Sequence, residues 1–304
     1  MPVVSVIIPN YNHALYLPQR IESVQNQTFQ DIEIIILDDC STDNSRDVIS
    51  NYARTDKRIQ TLFNTQNSGS PFKQWAKGLN LAKGEYIWIA ESDDYADPVF
   101  LEKLTDILKV QPQVGIVYSQ SWQVDAQGKI ITSCRNLYKT LEPKSIHSGK
   151  SSIANHFSGA NIIPNASAVV FRKNLVDKIN SDYQTFRLSG DWLFWCQMLS
   201  LSDLVYVDEE LNYFRLHAQK VTVASHKDQT FIIENLRILD LLHHQKLISD
   251  MIYQSKSKNV ARQLKERQQK SETSLPFAQL RSILRYALRN NTTFLLQYLK
   301  LSFR

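Results

Sequence analysis

The sequence predicts an α/β protein with a mostly parallel central sheet, flanking helices and a helical C-terminal extension. Three observations carry this. β-Type apolar runs alternate with helical stretches across residues 3–119, the pattern of strand–helix–strand crossovers. After Ser119 the alternation breaks into shorter, more irregular segments. From Asp228 onward only helical periodicity remains.

Each element has its own signal. The run Val3-Val4-Ser5-Val6-Ile7-Ile8 reads as a buried strand ended by Pro9-Asn10. Residues 15–25 place Leu17, Ile21 and Val24 on one helical face. Residues 32–37 form a second strand closed by Asp38-Asp39, and Ser41-Thr42-Asp43 offers caps for a helix through about Tyr52. Ile59–Phe63 is a third strand, and Pro71–Leu81 is a helix leading to Gly84. Residues 86–90 make a fourth strand, 99–109 a helix and 114–119 a fifth strand. Beyond them, 124–130 reads as a hairpin and 133–165 as irregular and polar. Strands are expected at 167–171, 204–207 and 211–215, with a bulky apolar helix at 192–201. Helices follow at Thr230–His244, 260–269, 277–288 and 294–301, and the chain is expected to divide around 222–229.

The bulk numbers narrow the class. At 304 residues the chain suffices for one large α/β domain with a helical appendage. A hydrophobic share of 43% against 21% charged residues is ordinary for a soluble globular protein. No run approaches the roughly 20 apolar residues that cross a bilayer, and the first apolar run is too short for a signal peptide. Cys40, Cys134 and Cys196 are odd in number and far apart, which argues against a disulfide framework or a zinc site. They fit a reducing cytosol, so a cytoplasmic protein is expected. The net charge of +5 is uneven. Residues 255–304 hold eleven Lys or Arg against two acids, a net +9, which leaves −4 on the first 254. The two parts are expected to meet different partners.

Chemistry concentrates at Glu91-Ser92-Asp93-Asp94, directly after the fourth strand. Carboxylates so close repel one another unless a cation or hydrogen-bond donors hold them ionised. Oxygen ligands at a strand end suit a hard divalent ion that also carries phosphates; a solvated turn capping the next helix is the alternative. Ligands of open α/β sheets bind beyond the carboxyl ends of the strands. Tyr11, Asp39 and Asp93-Asp94 follow the first, second and fourth strands, so all are expected on one sheet edge.

Four motifs in order carry a family resemblance: Val4-Ser5-Val6-Ile7-Ile8-Pro9-Asn10-Tyr11-Asn12, Glu33-Ile34-Ile35-Ile36-Leu37-Asp38-Asp39-Cys40-Ser41-Thr42-Asp43, Gly84-Glu85-Tyr86-Ile87 and Glu91-Ser92-Asp93-Asp94. Together they resemble the family 2 glycosyltransferases of the GT-A fold. Ser189-Gly190-Asp191-Trp192 and Tyr213-Phe214-Arg215-Leu216-His217 extend the likeness over about the first 220 residues. The resemblance implies a Rossmann-like nucleotide-sugar-binding half (1–120), an acceptor-binding half (121–225) and a helical extension (226–304). It implies an inverting enzyme that uses Mn2+ or Mg2+ to move one sugar from a UDP- or dTDP-sugar to a hydroxyl of a glycan or lipid-linked glycan. Surface polysaccharide or glycoconjugate assembly is the implied setting.

Residue by residue, the resemblance assigns Pro9 and Tyr11 to the nucleotide, the ring stacking on the base, and Asp39 to an imide N–H of uracil or thymine. Asp94 is expected on the metal, and Asp93 on the ribose or donor sugar. Glu91 stands where the family more often has Asp. Asp191 is the candidate base, with a plain helix cap as the alternative; an ordinary Asp titrates near ~3.9, and a helix N-terminus would favour its anion further. His217 is expected near the metal or the diphosphate. Lys73 and Lys77 could reach the diphosphate or simply be solvated. The family commonly places Arg-Asn on that helix, where this chain has Trp75-Ala76.

In the tail, Phe277, Leu280, Leu284 and Leu288 recur at helical spacing beside Arg281, Arg285 and Arg289. Such a helix can touch an anionic membrane peripherally at its inner face, pack on the body or form a homo-oligomer contact. Nucleic acid is not expected as a partner, because the basic charge is local and lacks interleaved aromatic platforms. Two rival readings stand beside transfer. One is a non-catalytic nucleotide-sugar-binding subunit. The other is a sugar-phosphate nucleotidyltransferase, which usually carries a Gly-rich, basic loop after the first strand; Pro9-Asn10-Tyr11-Asn12-His13 has neither glycine nor Lys/Arg.

Overall fold

β-Branched runs buried on both faces need helices above and below, and that layering is what the chain builds. The computed structural model describes residues 1–137, 141–217, 229–269 and 274–302. Strands β1 (Val4–Asn10), β2 (Ile32–Asp38), β3 (Ile59–Phe63) and β4 (Tyr86–Ile89) form a parallel block. They join β5 (Tyr95–Ala96), β6 (Val114–Val124), β7 (Ile130–Ser133), β8 (Ile146–His147), β9 (Val169–Arg172) and β10 (Asp203–Arg215) in one mixed sheet. Its order is β3-β2-β1-β4-β9-β6-β10-β5, with β7 beside β6 and β8 beside β10. β9 runs antiparallel between β4 and β6.

The period of two sorts side chains to opposite faces. Val6, Ile8, Ile34, Ile36 and Trp88 pack on α1 (Leu17–Gln25), α2 (Ser45–Thr55) and α4 (Phe100–Val110). Ile7, Ile35, Leu37, Ile87 and Ile89 pack on α3 (Pro71–Leu81) and α5 (Gly190–Leu199). α5 is apolar nearly all round, as a helix enclosed by protein must be.

The structure differs from the sequence reading at several places. Residues 204–207 and 211–215 are one strand, β10, whose register shifts around Glu210 where polar residues interrupt the apolar run. α2 begins at Ser45 rather than Ser41, because Ser41 and Asp43 turn back to accept from the backbone of Asn12 and Ala14. The irregular stretch after Ser133 contains β8 and a short helical run over 149–157. The expected boundary at 225/226 lies outside the described residues.

The extension comprises α6 (Thr230–His244), α7 (Asp250–Gln269), α8 (Phe277–Asn290) and α9 (Thr292–Ser302). α7 starts ten residues before the expected 260, since 250–259 is too polar to show helical periodicity. Leu236, Leu264, Ile283 and Phe294 build a separate core there, while Ile238, Leu239 and Leu242 of α6 join the sheet's core. Asp240 accepts from Tyr253 Oη (2.9 Å), Tyr286 Oη (2.6 Å) and Asn291 Nδ2 (2.8 Å), pinning the bundle together. In the α8 stripe, Leu280 and Leu284 pack on the bundle while Phe277 and Leu288 stay exposed. Among the described residues no helix is long and apolar enough to cross a membrane.

Candidate active site

β1, β2 and β4 are parallel and in register, so their carboxyl ends share one edge: Asn10 pairs with Asp38, and Ile7 with Ile89. The acidic loop leaves β4 at that edge. Its Glu91 is held three ways: the backbone N–H donates to Ser167 Oγ (3.0 Å), the carbonyl accepts from Arg20 Nε (2.9 Å), and Oε1 accepts from Trp75 Nε1 (2.8 Å).

Asp93 turns toward two imidazoles. Its Oδ2 lies 3.0 Å from His217 Nε2, and single ligand atoms of His13, Asp93 and His217 all fall within 4.8 Å of one another. The His13 and His217 rings meet edge to face at 5.3 Å, and His13 Nδ1 bonds Ser92 Oγ at 2.8 Å. His217 Nδ1 is buried with no hydrogen-bond partner among the described residues. A carboxylate with two imidazoles is a donor set that fits a divalent ion of intermediate hardness.

Asp94 turns the other way. Only 1% exposed, it accepts from Asn165 Nδ2 (2.5 Å) and Ser167 Oγ (2.8 Å) through Oδ2, and from the Arg215 backbone N–H (2.9 Å) through Oδ1. The expected division, with Asp94 on the metal and Asp93 on the donor, is therefore not the one these directions offer. Arg215 spans both acids: its Nε donates to the Asp93 carbonyl at 2.8 Å, and its guanidinium lies 4.8 Å over the Tyr16 ring. Behind them sits Arg20, which burial pulls down to about 10 while the charges of Asp94, Asp93 and Glu91 hold it up. Its Nη1 and Nη2 have no hydrogen-bond partner among the described residues. This buried cation offsets the mutual repulsion of the cluster.

At the β1 and β2 ends, Pro9 is buried within the strand, and Tyr11 just beyond it is 46% exposed. Asn10 Nδ2 donates to Asp38 Oδ1 at 2.9 Å, and Cys40 and Asn12 adopt left-handed φ of 63° and 57° to turn the chain. Asp39 is buried and already accepts from Asn64 Nδ2 (2.6 Å), Ser68 Oγ (2.7 Å) and Gln74 Nε2 (2.8 Å). It thus fixes the loop between β3 and α3. Lys73 and Lys77 grip the same loop, through the Ser68 carbonyl (3.2 Å) and Asn64 Oδ1 (2.7 Å).

Asp191 lies in the first turn of α5 with Ser189 at the cap position, so it is not the plain cap. Gly190 beside it is obligatory: a Cβ there would sit 2.6 Å from the Phe72 ring and 2.7 Å from the Tyr183 carbonyl. The carboxylate pKa is shifted up from the ordinary range rather than held low. Burial raises it to about 6, outweighing the backbone N–H groups of Trp192 and Asp191 and the Asn161 side chain, whose Nδ2 donates at 2.9 Å. Asn161 and Asn165 hold Asp191 and Asp94 respectively, and four residues span at most about 14 Å. One short segment therefore holds both the base candidate and the acidic loop.

A model of glycosyl transferase family 2 matches residues 5–162, just over half of the chain. The chain belongs to glycosyl transferase family 2. It is 31% identical over 218 residues to the uncharacterized glycosyltransferase alr2836 of Nostoc sp., covering 70% of this chain and 65% of that protein. It is 38% identical over 94 residues to a GalNAc(5)-diNAcBac-PP-undecaprenol beta-1,3-glucosyltransferase of Campylobacter jejuni, covering 31% of this chain and 30% of that protein. The chain thus spans just under two thirds of the first relative and less than a third of the second. Its fold is similar to that of S. aureus TarS 1-349 in complex with UDP-GlcNAc: TM-score 0.68 at 17% identity, over 97% of this chain and 82% of that one. This family member thereby has the GT-A architecture. The matched segment holds Tyr11, Asp39, Asp93 and Asp94, whereas Asp191 and His217 lie beyond it.

Sequence reasoning passed over His13, Arg20, Asn161, Asn165 and Ser167. The first two lie near the nucleotide motif, but nothing in residue type separates them from surface residues. The other three fall in a segment read as irregular or as a strand start, and only the folded sheet brings it under the acidic loop.

Proposed function

We propose that this glycosyltransferase is an inverting, metal-dependent enzyme that moves one sugar from a UDP- or dTDP-sugar to a hydroxyl. The observation that carries the reading is the shared segment 161–167, which ties a carboxylate of raised pKa to the acidic loop. Asp191 takes the proton from the acceptor hydroxyl. The freed oxygen attacks the anomeric carbon, the bond to the diphosphate oxygen breaks on the opposite face, and its electron pair leaves with the nucleoside diphosphate. A single base is what an inverting displacement needs.

His13, Asp93 and His217 would hold the divalent ion, which supplies charge neutralisation for the departing diphosphate. Two imidazoles favour Mn2+ over Mg2+, which prefers an all-oxygen shell. Asp94 serves the site from within, fixing the β10 end through Arg215. Tyr11 presents an open ring face to the base. Asp39 orders the loop beside it, and a direct bond to an imide N–H requires one of its present donors to yield. The acceptor class follows the C. jejuni relative, whose name describes a lipid-linked glycan.

A panel of sugar nucleotides assayed for Mn2+-dependent release of nucleoside diphosphate tests the reading. Release is expected from a UDP- or dTDP-sugar and is lost in Asp191→Asn. Pyrophosphate formed from a nucleoside triphosphate and a sugar phosphate would instead point to nucleotidyl transfer.

A further inference from the structure

The helical extension reaches into the loop that precedes Asp191. Glu234 of α6, 3% exposed, accepts three consecutive backbone N–H groups: Arg187 at 2.6 Å through Oε1, and Leu188 at 3.0 Å and Ser189 at 2.8 Å through Oε2. Successive amides converging on one carboxylate form an anion nest, and such charge-assisted bonds are stronger than neutral ones. A buried carboxylate is costly without that full set of donors, so the side chain and the loop specify each other.

The neighbourhood reinforces the grip. Arg237, nearly one helical turn further along α6, donates to Thr185 Oγ1 at 2.8 Å, and its guanidinium lies 4.2 Å over the Phe186 ring. From the nucleotide side, Ser70 Oγ donates to the Phe186 carbonyl at 3.3 Å. The loop 185–189 is therefore clamped between the extension and the end of the β3–α3 loop. Only Gly190 separates it from Asp191.

We propose that Glu234 is a positioning residue for Asp191, so that the first helix of the extension completes the active site. The inference rests on the reading of Asp191 as the base. Glu234 sets where α5 begins and hence where the Asp191 carboxylate lies relative to the acceptor. Its hydrogen bonds among the described residues go to Arg187, Leu188 and Ser189, and to none of Tyr11, Asp39, His13, Asp93 or His217. Loss of the nest is thus expected to affect proton abstraction and to leave donor binding alone.

The test uses the full chain as Glu234→Ala, Glu234→Gln and Asp191→Asn. Three quantities are read: the turnover of the sugar nucleotide that the panel identifies, binding of UDP with Mn2+, and hydrogen exchange of the 187–189 amides. Glu234→Ala is expected to lower kcat about 100-fold, the cost of an ångström-scale misplacement, with faster exchange at 187–189 and UDP affinity within about twofold of the parent. Glu234→Gln keeps one acceptor oxygen and should recover part of kcat; it carries the same comparison should the Ala variant fail to fold. Unchanged kcat, or UDP affinity falling in step with kcat, overturns the proposal. An active Asp191→Asn overturns the base reading instead, while an inactive Asp191→Asn beside a fully active Glu234→Ala overturns only the role of Glu234.

Discussion

Trp75 donates its indole N–H to Glu91 Oε1 at 2.8 Å, which ties the acidic loop to α3. The Glu91 side chain carries its carboxylate to α3, where the Trp75 indole meets it. α3 in this protein therefore braces the acidic loop from below. Trp75 is 1% exposed and packs edge-on against Phe72 and Phe194, so the brace is anchored in the core.

Removing that donor should be felt in stability. Trp75→Phe deletes a hydrogen bond to a charged group and leaves some empty volume, at a cost of about 2–3 kcal/mol in urea unfolding. Combined with Glu91→Gln in a double-mutant cycle, the pair should show a coupling above about 0.5 kcal/mol. Strict additivity of the two changes would mean that the contact does not link them.

Asp191 should behave as a residue held at the expense of stability. Its folded-state pKa, about 6, lies above the ordinary 3.8. The folded protein therefore keeps a proton that the unfolded chain releases. The resulting stabilisation is complete below about pH 4 and is lost as pH rises through about 6. At pH 7 the charged form is a liability, so Asp191→Asn should abolish transfer yet raise stability by on the order of 2 kcal/mol. Thermal unfolding at pH 7 and pH 4 checks this, the gain shrinking at the lower pH.

The same carboxylate sets the pH dependence of transfer. Because the base must be ionised, kcat/KM should rise with pH through a midpoint near 6. A midpoint near 4 would indicate that solvent reaches Asp191 in the working enzyme.

Asp39 offers a separate handle on the nucleotide end. Asp39→Asn turns an amide N–H2 toward Asn64, Ser68 and Gln74, all of which donate in the parent. The loop 64–70 should loosen, with faster proteolysis there and UDP affinity reduced about tenfold, the loss of roughly one net hydrogen bond. Intact affinity with a loosened loop would separate Asp39 from base recognition.

Much of this arrangement was legible in the chain. β1, β2 and β4 are buried on both faces and read as continuous apolar runs, and strand direction alone carries Tyr11, Asp39 and the acidic loop to one edge. The directions of the Asp93 and Asp94 side chains were not legible. Adjacent residues in a turn point in different directions, and which one faces inward is decided by Asn165, Ser167 and Arg215, far along the chain. The titration of Asp191 was equally hidden, since a helix N-terminus favours the anion and only the folded surroundings reveal the burial that outweighs it. Glu234 carries no such signal in the chain, since the loop it holds lies 45 to 47 residues earlier.

In the proposed site Asp93, with His13 and His217, holds the divalent ion while Asp94 supports the site from within. Calorimetric titration of UDP with and without Mn2+ separates the two acids, on the parent, Asp93→Asn, His217→Ala and Asp94→Asn. Mn2+ should strengthen UDP binding in the parent. That gain should fall at least about tenfold in Asp93→Asn and His217→Ala, the usual scale for losing a ligand or its close support. Asp94→Asn should unfold at lower temperature yet keep the Mn2+ gain. Loss of the gain in Asp94→Asn, with its retention in Asp93→Asn, would place the ion on Asp94 instead.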